Sequence, residues 1–412
     1  MASSIFSSSS SFSSSVAEPV VSEPALLPTA LPAGLRLTAA DRPGMAQPVP
    51  ERDIPAQPWH RISLTVLVLV ILLSSLWEWK MRALELVPGD LDGGYDNWAQ
   101  ARRQIDKRDV PLALIGDSRI LYDTDLQRVE QLTGVRPIQL GIAGGSGLPL
   151  LEDVADDPHF KGLAIVGMAE TSYFDTTHTV LRSQEALKLS KWESPSKRAS
   201  YQILRVVSRK LATLNDEYQL STMVFNLDPD WRHGVRGPYH DVWKIGETRA
   251  DGQSWLWRRL EHDGPLSAHA RSVWHQLFPP FPLDDKSIQG ILVRTQVAVN
   301  KIRARGGDVV FLRPPSAPDI RAIEDRHLPR ARGWDPLLAY AHAKGIHADD
   351  LPTAQNLTLP EGSHLTHACA TVFTDVFIRS VAQKTSLLQL RADSPPALST
   401  PNCVPAAVAG LQ

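Results

Sequence analysis

The stretch PLALIGDSRI, residues 111–120, constrains this chain most. Leu112, Ala113, Leu114 and Ile115 are apolar in succession, which suits a strand covered on both faces. The run stops at Gly116-Asp117-Ser118-Arg119. Glycine lets the chain turn sharply, and the serine then emerges at the sheet edge. Ligands of open α/β sheets gather outside the carboxyl ends of the strands. Ser118 is therefore a candidate nucleophile.

Beyond Ser118 the chain alternates between strand and helix patterns. Strands are expected at 110–115, 137–142, 163–168 and 308–312. Helices are expected at 123–132, with Asp123 or Thr124 as cap, and at 148–154, 286–304, 335–343 and 366–382. Such alternation implies an α/β fold with a doubly wound parallel sheet. Residues 176–281 break the pattern. They are polar and carry Trp192, Trp231, Trp243, Trp255, Trp257 and Trp274. This segment, with a helix at 200–214, reads as a long insertion after the third strand that forms a lid or side lobe. The domain is expected over 110–390, followed by a loose tail at 391–412.

Upstream, residues 1–58 are Ser-rich and then Pro/Ala/Glu-rich, a composition that cannot offset the entropy of ordering. Residues 62–77, ISLTVLVLVILLSSLW, form the long apolar run. With their flanks, 59–79, they reach the ~20 residues a spanning helix needs. Trp59, Trp77 and Trp79 sit where interfacial aromatics belong. The run has no polar face, and no small-x-small cleavage pattern comes after it. A single transmembrane signal-anchor helix is expected. Arg42, Arg52 and Arg61 before it outnumber Lys80 and Arg82 just after it, which favours a cytoplasmic N-terminus. Residues 80–109 read as a linker with an amphipathic helix, Arg102 and Arg103 lying on its solvated face.

A formal net charge of −2 leaves no basic surplus for phosphates, so no nucleic-acid partner is expected. No CxxC or Cys/His ligand spacing occurs, and neither a metal nor a cofactor is expected. The glycine-rich residues 141–147 fit neither a dinucleotide fingerprint nor a phosphate loop. His233 and His240 read as surface residues, and His367 as a solvent-facing residue on a first helical turn. Cys369 and Cys403 are either a disulfide outside the cytoplasm or two free thiols.

A serine hydroxyl needs a base to take its proton, and the base needs a carboxylate to orient it. His364 is the best candidate base. It precedes the final helix, with Glu361 three residues earlier.

Gly116-Asp117-Ser118 near the start of the domain, with Glu361-x-x-His364 near its end, resembles the SGNH (GDSL) hydrolase superfamily. The resemblance covers 110–382, less the insertion, and implies an SGNH/flavodoxin-like sheet. It implies Ser118 as nucleophile, His364 as base, Glu361 in the place of the family's Asp, and Gly144 as an oxyanion amide. Where the family has Gly-x-Asn-Asp, this chain has Gly167-Met168-Ala169-Glu170. Alanine cannot donate, and losing one oxyanion donor typically costs about 100- to 1,000-fold in rate. Arg119, Ser146 and Arg313, at expected strand ends, are possible substitutes. Asp117, Arg119 and Arg313 join Gly144 as candidate oxyanion or substrate-binding residues.

A membrane anchor before an SGNH-like domain with GDSR is similar to envelope proteins that modify polysaccharides, such as alginate O-acetylation proteins. That likeness implies a serine esterase or O-acyltransferase in the bacterial inner membrane, its catalytic domain periplasmic. It also implies an acyl ester or polysaccharide substrate and a multi-pass O-acyltransferase partner. The alternative is a non-catalytic SGNH-like scaffold that binds envelope glycan or such a partner.

Overall fold

A computed structural model describes residues 56–91, 94–219, 222–224, 242, 244–278 and 281–404. Met1–Thr65 and Val66–Gln412 are separate units. The sheet and the candidate site belong to the second. The expectation of disorder at 1–58 falls largely outside the described residues, as do Trp231, Trp243, His233 and His240.

Side-chain alternation along strand β1 (Leu112–Gly116) sorts the domain into two cores. Ala113 and Ile115 join one cluster, Leu112 and Leu114 the other. Every residue of β1 is buried because both faces are covered. The other strands are β2 (Ile138–Gly141), β3 (Leu163–Gly167), β6 (Asp308–Arg313) and β7 (Lys344–His347). All pair in parallel in the order β2-β1-β3-β6-β7. Between them, β4 (Gly246–Thr248) and β5 (Ser254–Leu256) form a separate antiparallel hairpin.

Helix α2 (Tyr95–Arg102), α5 (Gly147–Asp156), α7 (His178–Trp192), α10 (Asp285–Arg303) and α12 (Trp334–Ala341) cover the first face. Helix α4 (Leu126–Thr133) and α13 (His367–Lys384) cover the second. Each Leu or Ile fully buried between these layers contributes roughly 1.5–3 kcal/mol. The chain steps outward from β1 to β2 and returns to β3 on the other side of β1. That reversal opens a crevice at the carboxyl ends of β1 and β3.

Several expectations change. Residues 80–109 do not form a linker: Trp98 and Ala99 of α2 are buried in the first core, and Leu86, Asp90 and Leu91 are buried too. Arg102 is not on a solvated face. Its Nε donates to Asp153 at 2.6 Å and its Nη1 to Asp157 at 2.8 Å, both in α5 or its cap. Arg103 pairs with Glu193 at 2.8 Å.

The cap of α4 is Asp125, which accepts the Arg128 N–H. Asp123 instead ends α3 (Ser118–Tyr122), a short helix missing from the sequence expectation. Within 391–404 the tail is tied down rather than loose: Arg391 N donates to Leu132 O, and Leu398 N to Asp375. Cys369 and Cys403 form a disulfide with Cα atoms 4.9 Å apart.

Helix α1 (Trp59–Ala83) is long and apolar enough to cross a membrane, and its apolar window is wholly unburied. Its end joins a third small core of Met81, Leu86, Ala212, Leu256, Trp257, Leu260 and Ala270. Trp257 is thus a core residue.

Candidate active site

The tip of β1 is built around a glycine that no other residue replaces cheaply. Gly116 has φ +152°, and a Cβ there would lie 2.8 Å from both Gly167 O and the Ile120 side chain. The turn hands the chain to α3, with Asp117 at the N-cap accepting the Arg119 N–H at 3.0 Å. Asp117 also accepts from Ser172 Oγ. Its carboxylate is therefore a buried brace between two elements.

Ser118 is the first residue of α3, and its Oγ lies 2.8 Å from His364 Nε2. His364 Nδ1 lies 2.7 Å from Glu361 Oε1. The three residues expected to act together meet in a continuous relay. Glu361 and His364 belong to the loop before α13. Leu365 N donates to Asp123 at 2.8 Å, and Ala317 N to Gly362 O at 2.9 Å, pinning both sides of that loop.

Glu361 is fully buried, yet it has donors on both oxygens. The backbone N–H and Nδ1–H of His364 reach Oε1; the Ser363 N–H and the Trp274 indole reach Oε2. Burial pushes its pKa up, but the His364 charge and these donors outweigh burial and hold it below the usual Glu value. Burial pushes His364 down, while Glu361, and to a lesser degree Asp123, raise it above the usual His value overall. A carboxylate bonded to Nδ1 leaves Nε2 as the acceptor for a serine proton.

Nothing in the sequence marks Trp274, in α9 (Gly264–Leu277), as a site residue. Trp274 and Tyr122 both set ring edges against His364, at centroid distances of 6.2 and 5.3 Å. The face of Tyr122 is closed by the hairpin, because a Cβ on Gly246 would fall 2.2 Å from its ring. The segment between β3 and β6 thus encloses the histidine through two elements. A tryptophan in a Trp-rich run carries no signal for this contact; only the fold brings 274 to 361.

Gly144 lies in the loop after β2, exposed and at φ +66°. Ile142 N donates to Gly116 O at 3.0 Å, which holds this loop beside the β1 tip. Gly145 and Ser146 use their amides within the domain, whereas the Gly144 amide meets no protein acceptor among the described residues. Ala169 is buried at the cap of α6 (Glu170–Tyr173).

Of the proposed substitutes for the missing donor, the two arginines are engaged elsewhere. Arg313 is fully buried and donates to Glu170 and Glu324. Arg119 is 2% exposed and donates to Glu324 and, at 3.2 Å, to Ser363 Oγ. Ser146 is fully buried, and its Oγ meets no hydrogen-bond partner among the described residues. Arg119 therefore holds the loop of Glu361 and His364 through Ser363, and Glu324 of α11 (Pro318–His327) joins it to Arg313. Burial pushes Glu324 up, but the two guanidiniums bring it down to about 2.

His367 also departs from expectation. Its backbone N–H and ring bind Glu261, and the ring lies against Trp255 at 5.0 Å. Asp106, Asp157 and His159 gather their ligand atoms closely enough for a cation. Arg102 already pairs with both carboxylates there.

Comparison of the chain with family models and with curated proteins finds no match.

Proposed function

We propose that this protein is a membrane-anchored serine ester hydrolase or O-acyltransferase of SGNH type. The observation that carries the reading is the relay from Ser118 Oγ through His364 to Glu361. In the forward step, Ser118 Oγ attacks an acyl carbonyl carbon while His364 Nε2 takes the hydroxyl proton. Glu361 stabilises the imidazolium that forms. The backbone N–H groups of Ser118 and Gly144 hold the oxyanion. Collapse breaks the ester bond, His364 returns the proton to the leaving alcohol, and an acyl-serine remains. Water or a sugar hydroxyl then attacks the acyl carbon as it gives its proton to His364, and the acyl–Oγ bond breaks as His364 passes that proton to Ser118 Oγ.

A disulfide between Cys369 and Cys403 suits an oxidising compartment, and with the apolar α1 it supports a periplasmic domain. On this reading, residues 176–281 are an insertion that covers the catalytic histidine. The substrate is an acyl ester of an envelope polysaccharide, with a multi-pass O-acyltransferase as partner. Turnover of a chromogenic acetyl ester by the full chain tests the chemistry. Activity that disappears in Ser118→Ala supports it; equal turnover by that variant overturns it.

A second reading, a non-catalytic SGNH-like scaffold, is favoured by Ala169. Its methyl is buried where the family's third oxyanion donor belongs, and Arg119 and Arg313 are bound elsewhere. A folded chain that turns over no ester but binds envelope glycan would establish it.

A further inference from the structure

Helix α8 (Pro195–Val207) and the turns after it are chemically one-sided. Residues 195–211, PSKRASYQILRVVSRKL, contain Lys197, Arg198, Arg205, Arg209 and Lys210 and no acidic residue. Tyr201 and Ser208 face inward and are buried. Ala199, Ile203, Val206 and Val207 fall on the opposite stripe by their three- and four-residue spacing. Ile203 and Val206 are each 64% exposed, Val207 44% and Leu211 38%. A contiguous stripe of large apolar side chains left in the open marks an interaction surface.

Where the stripe lies decides its partner. Glu78 directly follows Trp77, the last residue of the apolar run of α1. Its carboxylate accepts the N–H groups of Ala212 and Thr213, each at 3.0 Å. Arg82 donates to Lys210 O at 3.0 Å, and Gly89 N to Ser208 O at 2.8 Å. Met81 and Ala212 share one small core. The stripe therefore begins where the apolar surface of α1 ends. Lys197, Arg198 and Arg205 have partners within the domain. Arg209 and Lys210 are exposed beside Leu211.

An amphipathic helix with basic polar residues and an open apolar face matches what lies in a lipid–water interface. We infer that residues 199–211 form a second membrane contact. Ile203, Val206, Val207 and Leu211 enter the acyl boundary of the bilayer that α1 crosses, and Arg209 and Lys210 meet anionic headgroups. This rests on the reading of α1 as a membrane span. Two attachments, rather than one helix alone, then fix how the domain sits on the membrane.

The test uses the full chain in phosphatidylcholine–phosphatidylglycerol vesicles with brominated acyl chains. Bimane is placed at Val68→Cys in α1, Ile203→Cys, Val206→Cys and Lys301→Cys in α10, each variant first checked for an unchanged thermal melt. Emission at 68, 203 and 206 is expected to fall several-fold, while the label at 301 stays bright and open to aqueous iodide. The double variant Arg209→Glu, Lys210→Glu is expected to relieve the quenching at 206. Quenching at 68 with none at 203 or 206 overturns the second contact and spares the anchor. No quenching at 68 overturns the anchor itself and this inference with it. Labels at 203 and 206 shielded from iodide yet unquenched by bromine mean that protein covers the stripe, which also overturns it. Undiminished quenching at 206 in the double variant overturns the role given to the headgroups.

Discussion

The indole N–H of Trp274 donates to Glu361 Oε2, the oxygen opposite the one that faces His364. A residue 87 positions away thus completes the shell of a buried carboxylate. A hydrogen bond to a charged group is worth about 1.5–3 kcal/mol, and each 1.36 kcal/mol is about tenfold in rate. Trp274→Phe keeps a ring beside His364 and removes only the donor. An ester-hydrolysis assay should show kcat lowered by about 10- to 100-fold if the bond acts mainly in the transition state. KM should stay close to the parent value. An unchanged kcat in a folded variant would remove Trp274 from the positioning role.

Asp123 gives a pH dependence with a definite sign. Burial pushes its carboxyl up to about 7, helped by Glu361 and opposed by His364, the Leu365 N–H and Arg119. The folded chain therefore holds a proton that the unfolded chain releases at a lower pH. The stability linked to that proton is full below the unfolded value and is lost as pH rises through about 7. Asp123→Asn should remove this loss, so urea unfolding should show the variant gaining on the parent as pH rises from about 4 to about 7 and levelling off above that. Above that point the parent has an anion near His364 that the variant lacks. The acid limb of kcat/KM should accordingly move to lower pH in Asp123→Asn. A variant whose stability difference from the parent is flat with pH would contradict this.

Glu324 holds two guanidiniums, Arg119 and Arg313, and all three side chains are buried. Breaking a buried pair by removing one partner costs about 3–5 kcal/mol, because the remaining charge has no compensation. Glu324→Ala should lower unfolding free energy by that order in denaturant titration. Glu324→Gln, which retains an acceptor, should lose less. Arg313 keeps Glu170 in that variant, so equal stability in Glu324→Ala would mean that Arg119 finds another partner.

The Cys369–Cys403 bond closes a 34-residue separation and ties the chain end to α13. Disulfides typically contribute about 2–4 kcal/mol. Cys403→Ser should lose that much in denaturant titration. Reduction of the parent should reproduce the loss, and reduction of the variant should change nothing further.

The parts of this fold legible in the sequence are those with local causes. The strand at 112–116 announces itself because four apolar residues end in a glycine that its backbone angle requires. Glu361 and His364 can be paired because only two residues of one loop separate them. Arg119 and Arg313 mislead because an arginine at a strand end looks alike whether it faces substrate or a buried acid. Glu324, the acid that claims both, is distant in sequence from Arg119 and lies on a helix that the strand and helix patterns do not reveal. Arg102 misleads for the same reason, its acids lying on α5 or its cap. The cap of α4 is displaced by one or two residues from the expected position, since Asp123, Thr124 and Asp125 all have capping side chains. Leu365 claims Asp123, leaving Asp125 to cap.

Ser118 serves as a nucleophile only if His364 activates it. Intact mass spectrometry of the full chain after treatment with a fluorophosphonate tests this most directly. One phosphonyl adduct is expected, mapped by peptide sequencing to Ser118 and lost in both Ser118→Ala and His364→Ala. A folded chain that forms no adduct, or one whose adduct maps to another residue, would contradict it.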